Sequence, residues 1–217
     1  ITQKKESVWI AQREGRSKDS DDRTQESLIK MLGLAGNGNL IDNLKEINLV
    51  PVSISYEYDP CDYLKAQEFL LKRDNPDFKK SQEDDLHSME IGLLGYKGRV
   101  HFEISPCIND ELDKLSHLEE KSEILARILK IIDKGIHSGY MIYPGNYVAY
   151  DMLNGTNRFA DRYTRKESLT FTNYLHSQLA KIPDSDDEKN REFLERCILL
   201  MYANPLKNKL VATGQEA

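Results

Sequence analysis

Two short runs of β-branched and apolar residues, separated by a helical stretch, most constrain what this chain can fold into. Val8-Trp9-Ile10-Ala11 breaks off into the charged turn Gln12-Arg13-Glu14-Gly15-Arg16-Ser17-Lys18. Further on, Val50, Val52, Ile54, Tyr56 and Tyr58 alternate with Pro51, Ser53, Ser55 and Glu57. Alternation with a period of two is the signature of a strand with unlike faces. The apolar row is expected in the core, and the serines are expected to face a site or a tightly packed helix. Pro51 has no N–H, so it belongs at the strand start or at an edge. A third run, Val100, Phe102 and Ile104 against His101, Glu103 and Ser105, follows two more helical stretches. Strands separated by helices predict an α/β sheet.

The helical stretches carry their own punctuation. Asp22 with Gln25 reads as a capping box for a helix running to Ala35, with Leu28, Ile29 and Leu32 on its apolar face and Gly36-Asn37-Gly38-Asn39 as its stop. Leu40, Ile41, Leu44 and Ile47 outline a shorter helix. Asp59-Pro60 pairs an N-cap with a first-turn proline, opening a helix through Tyr63, Leu64, Phe69 and Leu70. Another helix is expected from Ser81 to Leu94. Past Pro106 the pattern is almost wholly helical. Ser116 with Glu119 is expected to cap a helix whose apolar face is Ile124, Leu125, Ile128, Leu129, Ile132 and Ile136. Thr164 with Glu167 and Ser185 with Glu188 make two further capping boxes. The expected fold class is therefore α/β: a partial mixed sheet flanked by helices, with a carboxy-terminal helical extension. Residues 1–110 are assigned to the α/β core and 111–217 to the extension packed on it.

Charge and cysteine usage narrow the function. The formal net charge of -6 argues against general nucleic-acid binding and against wholesale attachment to an anionic membrane. Locally the sign reverses, because Arg13, Arg16, Lys18 and Arg23 crowd the first turn, partly balanced by Glu14, Asp19, Asp21 and Asp22. Local charge is what a phosphate meets. Three widely spaced cysteines, Cys61, Cys107 and Cys197, give neither a zinc motif nor a disulfide framework and fit a reducing compartment. No apolar run reaches the ~20 residues that span a bilayer. H-E-x-x-H, P-loop and G-x-G-x-x-G patterns are absent from the sequence.

Strand, Glu14-Gly15-Arg16 turn, helix and Val50-Pro51-Val52 strand together resemble the second half of the glycerolipid acyltransferases, which acylate glycerol-3-phosphate or lysophosphatidate. The resemblance covers roughly Val8 to Ile108, and Tyr143-Pro144 is similar to a bacterial subgroup. The family's usual Phe-Pro-Glu-Gly-Thr-Arg-Ser becomes Gln12-Arg13-Glu14-Gly15-Arg16-Ser17 here, with Arg13 in the proline position and no threonine. The compressed Gly-Arg form resembles the soluble glycerol-3-phosphate acyltransferase branch. The family's His-x-x-x-x-Asp catalytic motif is missing: none of His87, His101, His117, His137 and His176 has an aspartate five positions on. With the chain opening on Ile1, the expectation is a carboxy-terminal part of such an enzyme, without its catalytic pair and inactive alone.

The resemblance implies a donor, acyl-CoA or acyl carrier protein, and an acceptor, a glycerol phosphate or lysophospholipid. It implies no cofactor and no metal, and it places the parent in the cytoplasm, with peripheral contact at the inner face of a membrane. The implied substrate-binding residues are Arg13, Glu14, Gly15, Arg16 and Lys18. Glycine lets the backbone approach a ligand, arginine offers forked donors to phosphate oxygens, and glutamate orients a hydroxyl or fixes the arginine. A phosphate is expected near Arg16, with Arg13 or Lys18 as second donor. The strands also imply a larger sheet, so an apolar edge or face is expected uncovered, with self-association to cover it. The alternative from another class is a non-catalytic module binding a phosphorylated ligand or a partner through the same turn. Three other features have blander readings: His101 with Glu103 as a solvent-side strand pair, Asn157 to Tyr163 as a salt-bridged loop, and Tyr140, Tyr143, Tyr147 and Tyr150 as interhelical packing.

Overall fold

A computed structural model describes residues 6–13, 18–183 and 187–215. The fold is mixed α/β but mainly helical. In chain order the elements are α1 (Glu26–Leu32), a 3-10 turn (Gly33–Ala35), α2 (Leu40–Glu46), β1 (Val52–Tyr56), α3 (Asp62–Asp74) and α4 (Gln82–Leu94). They continue with β2 (Val100–Ile104), α5 (Asn109–Asp113), α6 (Lys121–Ser138), α7 (Pro144–Asn154), α8 (Arg165–Leu179) and α9 (Glu188–Ala212).

Among the described residues the sheet has two strands, paired antiparallel with Ile54 opposite Phe102. Two expectations are corrected here. The sheet is not mixed, and Val8 to Ala11 is irregular chain whose Val8, Trp9 and Ile10 side chains face solvent. A short apolar run becomes a strand only when a neighbour takes up its backbone groups, and no backbone hydrogen bond joins 8–11 to another described residue.

The faces of β1 are also reversed. Ser53 and Ser55 are the buried side, at 2% and 8% exposure, while Val52 and Ile54 are half-buried and Tyr56 is exposed. The reason is the close approach of the α6 carboxyl end. A Cβ on Gly135 would press on Pro51, and one on Gly139 would run into Ser53 Oγ and the Glu103 stem. Only small side chains fit between sheet and helix, so the serine side lies against the helix, as one of the two expected settings required.

Two apolar clusters hold the helices, and both draw on residues from either side of position 110. One joins Ala66 and Leu70 of α3 to Val148 and Ala149 of α7, Phe171 and Leu175 of α8, and Leu194, Ile198, Met201 and Tyr202 of α9. The other joins Ile29, Ile41 and Leu44 to Ile108, Leu112 and the α6 face Leu125, Ile128, Ile132 and Ile136. That α6 face is the expected one, although the helix starts at Lys121 with Glu120 as N-cap, past Ser116 and Glu119. The Thr164–Glu167 box forms as expected, and Ser81 closes a box with Asp84. Ser185 lies outside the described residues, and Asp187 caps α9 through Asn190 N–H.

The Asp22–Gln25 box does not form, and α1 starts four residues later than Asp22, with Gln25 as N-cap. Tertiary bonds take the loop instead. Thr24 donates from its N–H and Oγ1 to Asp133 Oδ1 at 2.8 and 2.6 Å. His137 Nε2 bonds the Asp22 carbonyl at 2.7 Å, Asn204 donates to the Asp19 carbonyl at 2.8 Å, and Asn208 donates to Asp21 Oδ1 at 3.0 Å. Several bonds from α6 and α9 outweigh one local cap worth ~1 kcal/mol. No helix among the described residues is long and apolar enough to cross a membrane.

Candidate functional site

The pinned loop leads straight to a groove of about 1430 Å³. One wall is α3, which turns Leu64, Lys65, Glu68, Phe69 and Lys72 toward it. The α3–α4 connection adds Phe78, Lys79 and Lys80, and the inner side of α4 adds Ser88, Met89 and Gly92. Ile54 and Tyr56 come from β1, and Met201, Tyr202 and Pro205 from α9. Arg13 and Lys18 also line it, together with Asp19, Ser20 and Asp22 from the pinned loop.

The groove is amphiphilic, and its cations differ in how they are held. Lys18 pairs with Glu68, which Lys72 also reaches at 3.2 Å from the next turn of α3. Glu68 is buried, which works to raise its pKa, but the bonds from Lys18 and Lys72 outweigh this and hold the carboxylate below its ordinary range. Desolvation pulls the Lys18 ammonium the other way, below its ordinary value, against its bond to Glu68. Lys65 binds Asp59 Oδ2 at 2.6 Å, and Lys80 reaches Asp85 at 3.5 Å and the Ser88 hydroxyl at 2.5 Å. Arg13 and Lys79 form no ion pair with another described residue.

Under the groove a buried carboxylate ties three helices together. Asp62, the first residue of α3, is fully buried. Its Oδ2 accepts from Tyr174 Oη of α8 at 2.6 Å and from Tyr202 Oη of α9 at 2.8 Å. Burial, opposed by these two bonds, pushes its pKa up to about 6. Asp59 accepts from Cys61 N–H at 2.9 Å through Oδ1, so the Asp59-Pro60 signal is met one turn early: the helix itself starts at Asp62. Tyr202 Oη also accepts from Asp59 N–H at 3.0 Å, linking this knot to the groove wall.

The sequence-derived residues fare unequally. Arg13 and Lys18 both line the groove. Glu14, Gly15 and Arg16 lie outside the described residues. The expected geometry, a turn at the carboxyl end of a first strand beside a helix amino terminus, is corrected. Residues 8–11 form no strand, and α1 is a seven-residue helix starting well past the turn. Lys65, Glu68, Lys72, Lys79 and Lys80 were not singled out from sequence. The only signal for them was the i, i+3, i+7 spacing of Lys65, Glu68 and Lys72 on one helix face.

The remaining candidates are structural. His101 Nε2 lies 3.3 Å from Glu103 Oε2 on the sheet, not among the groove residues. Asn157 to Tyr163 wraps the buried Asp151, which accepts from Phe159 N–H and Tyr163 Oη at 3.1 Å each. Tyr140 and Tyr143 are buried, and Tyr147 and Tyr150 pack on Phe159. Among the described residues no cluster of His, Cys, Asp and Glu has the makings of a metal site. No family model, no curated protein and no solved structure matches this chain.

Proposed function

We propose that this chain is the substrate-holding part of an acyltransferase that moves an acyl group from acyl-CoA or acyl carrier protein to a glycerol-phosphate or lysophospholipid acceptor. The observation that carries the reading is the groove itself. It gathers Arg13 and Lys18, the cations named from the Glu-Gly-Arg turn, together with Lys72 and Lys79, beside the apolar side chains of Leu64, Phe69, Phe78 and Met89. A ligand with a phosphate at one end and an acyl chain at the other matches such a lining. Lysine and arginine meet the phosphate oxygens, and methionine and phenylalanine adapt to the chain.

In the reaction the acceptor hydroxyl oxygen attacks the thioester carbonyl carbon, the C–S bond breaks, and the thiol leaves carrying the proton. A base must take that proton from the hydroxyl. The His-x-x-x-x-Asp pair that does so in the family is absent from this sequence, so the chain binds without transferring. Its parent works on the cytoplasmic side of a membrane, where both substrates are available.

Titration with a short-chain lysophosphatidate, kept below its micelle concentration, tests the reading. Saturable binding is expected, weakened about 10–100-fold by Lys18→Ala or Arg13→Ala for a lost charge-assisted hydrogen bond. Thiol release from acyl-CoA in the presence of the acceptor should stay at background. Absence of saturable binding, or affinity indifferent to both substitutions, overturns the proposal.

A further inference from the structure

The outer edge of β2 has a self-complementary pattern. Glu57 N–H donates to the Arg99 carbonyl at 2.9 Å, and Ser105 N–H donates to the Pro51 carbonyl at 3.0 Å. In an antiparallel ladder the residues that bond to a neighbour alternate with those that point away. The odd-numbered β2 residues therefore serve β1, and the N–H and C=O groups of Val100, Phe102 and Ile104 point to the opposite edge. Among the described residues no backbone hydrogen bond reaches that edge. Phe102 is 58% and Ile104 70% exposed. An open edge with apolar side chains is a template for another strand.

We propose that this edge pairs with β2 of a second copy of the chain, antiparallel, about a two-fold axis through Phe102 and perpendicular to the sheet. Three features select this partner and register. Phe102 sits opposite Phe102 of the second copy, and its outward backbone groups suit it to exchange both hydrogen bonds with that residue. Val100 and Ile104 then meet as an outward-bonding pair on each side. On the other face His101 falls opposite Glu103 of the second copy, and Glu103 opposite its His101, so each side chain meets one of complementary chemistry. A register centred one residue to either side would set His101 against His101 or Glu103 against Glu103. The pairing is isologous and closes as a dimer. Both copies keep Ile54 and Tyr56, and hence their grooves, on the same face of a four-stranded sheet.

Sedimentation equilibrium over a concentration series is the test, with thermal unfolding of each variant as the control for folding. The wild-type chain is expected to dimerise. Glu103→Lys places a cation opposite His101 at two symmetric positions and should weaken the dimer about tenfold. Adding His101→Glu to it restores opposite charges and should restore the affinity. In a Cys107→Ser background, Phe102→Cys should give an interchain disulfide between the two copies of residue 102, since ladder partners there stand about 5.5 Å apart at Cα. A monomer at every concentration, a dimer unaffected by Glu103→Lys, or no rescue by the double substitution would each overturn the proposal. So would a monomer that co-sediments with phosphatidylcholine vesicles and loses them on Phe102→Lys, which would assign the strand to a bilayer.

Discussion

Replacing Asp62 by asparagine should change how stability depends on pH. In the fold, burial raises the carboxyl to about 6, against an ordinary value of 3.8, despite the bonds from Tyr174 and Tyr202. The folded state therefore holds a proton that the unfolded chain releases between those values. Stability from this group is fully present below the lower value and is lost as pH rises through the upper one. Roughly two pH units at 1.36 kcal/mol each correspond to about 3 kcal/mol. The asparagine side chain cannot ionise, so the stability of wild type minus variant should fall by about 2 kcal/mol between pH 4 and pH 7, the rest of the change lying below pH 4. Carboxylates held low in the fold, such as Glu57 beside Arg99, lose their contribution on acidification, but they are common to both proteins and cancel. Urea unfolding followed by circular dichroism at a series of pH values measures the difference directly. Parallel pH profiles would refute the reasoning, and a difference that grows with pH would mean that the tyrosines bind a stabilised carboxylate.

Three further outcomes follow from packing and hydrogen bonding. Gly139→Ala drives a methyl group into Ser53 Oγ and the Glu103 stem, and should lower the unfolding free energy by about 1–3 kcal/mol, read from the urea midpoint. Phe171→Ala empties the centre of the α3–α7–α8–α9 cluster and should cost about 3–5 kcal/mol in the same assay. Asp133→Ala strands the N–H and hydroxyl of Thr24, costing about 1–3 kcal/mol. It should also weaken lysophosphatidate binding, because the loop that carries Lys18 loses an anchor; unchanged affinity would separate that loop from the groove.

What could be read from the residues was whatever local chemistry alone decides. The α6 face emerged because Leu125, Ile128, Ile132 and Ile136 recur at helical spacing, and the Thr164 box because donor and acceptor lie within one turn. The strand positions of Val52 to Tyr56 and Val100 to Ile104 followed from alternation. The side of β1 that is buried did not. It is decided by Gly135 and Gly139, far along the chain on α6 and at its end, which admit serine and exclude valine. Asp22 reads as a cap only until Asp133, His137 and Asn208 compete for its loop. Of the candidate site, Arg13 and Lys18 were legible through the charged turn. The lysines of α3 and of the loop after it were not, because a solvated lysine and a groove lysine look alike until the walls are assembled. Asp62 was hidden for a similar reason: its tyrosine partners lie far along the chain, on α8 and α9.

A crystal structure of the chain with a short-chain lysophosphatidate is the decisive test of whether the groove holds a phosphate and an acyl chain together. The phosphate is expected within about 3 Å of Arg13 or Lys18 donors, with Glu68 released from Lys18 or shared with it, and the acyl chain lying against Leu64, Phe69 and Met89. A phosphate bound outside the groove, on the Asn157–Tyr163 loop or along β2, with the Lys18–Glu68 pair undisturbed and the apolar walls empty, would contradict it.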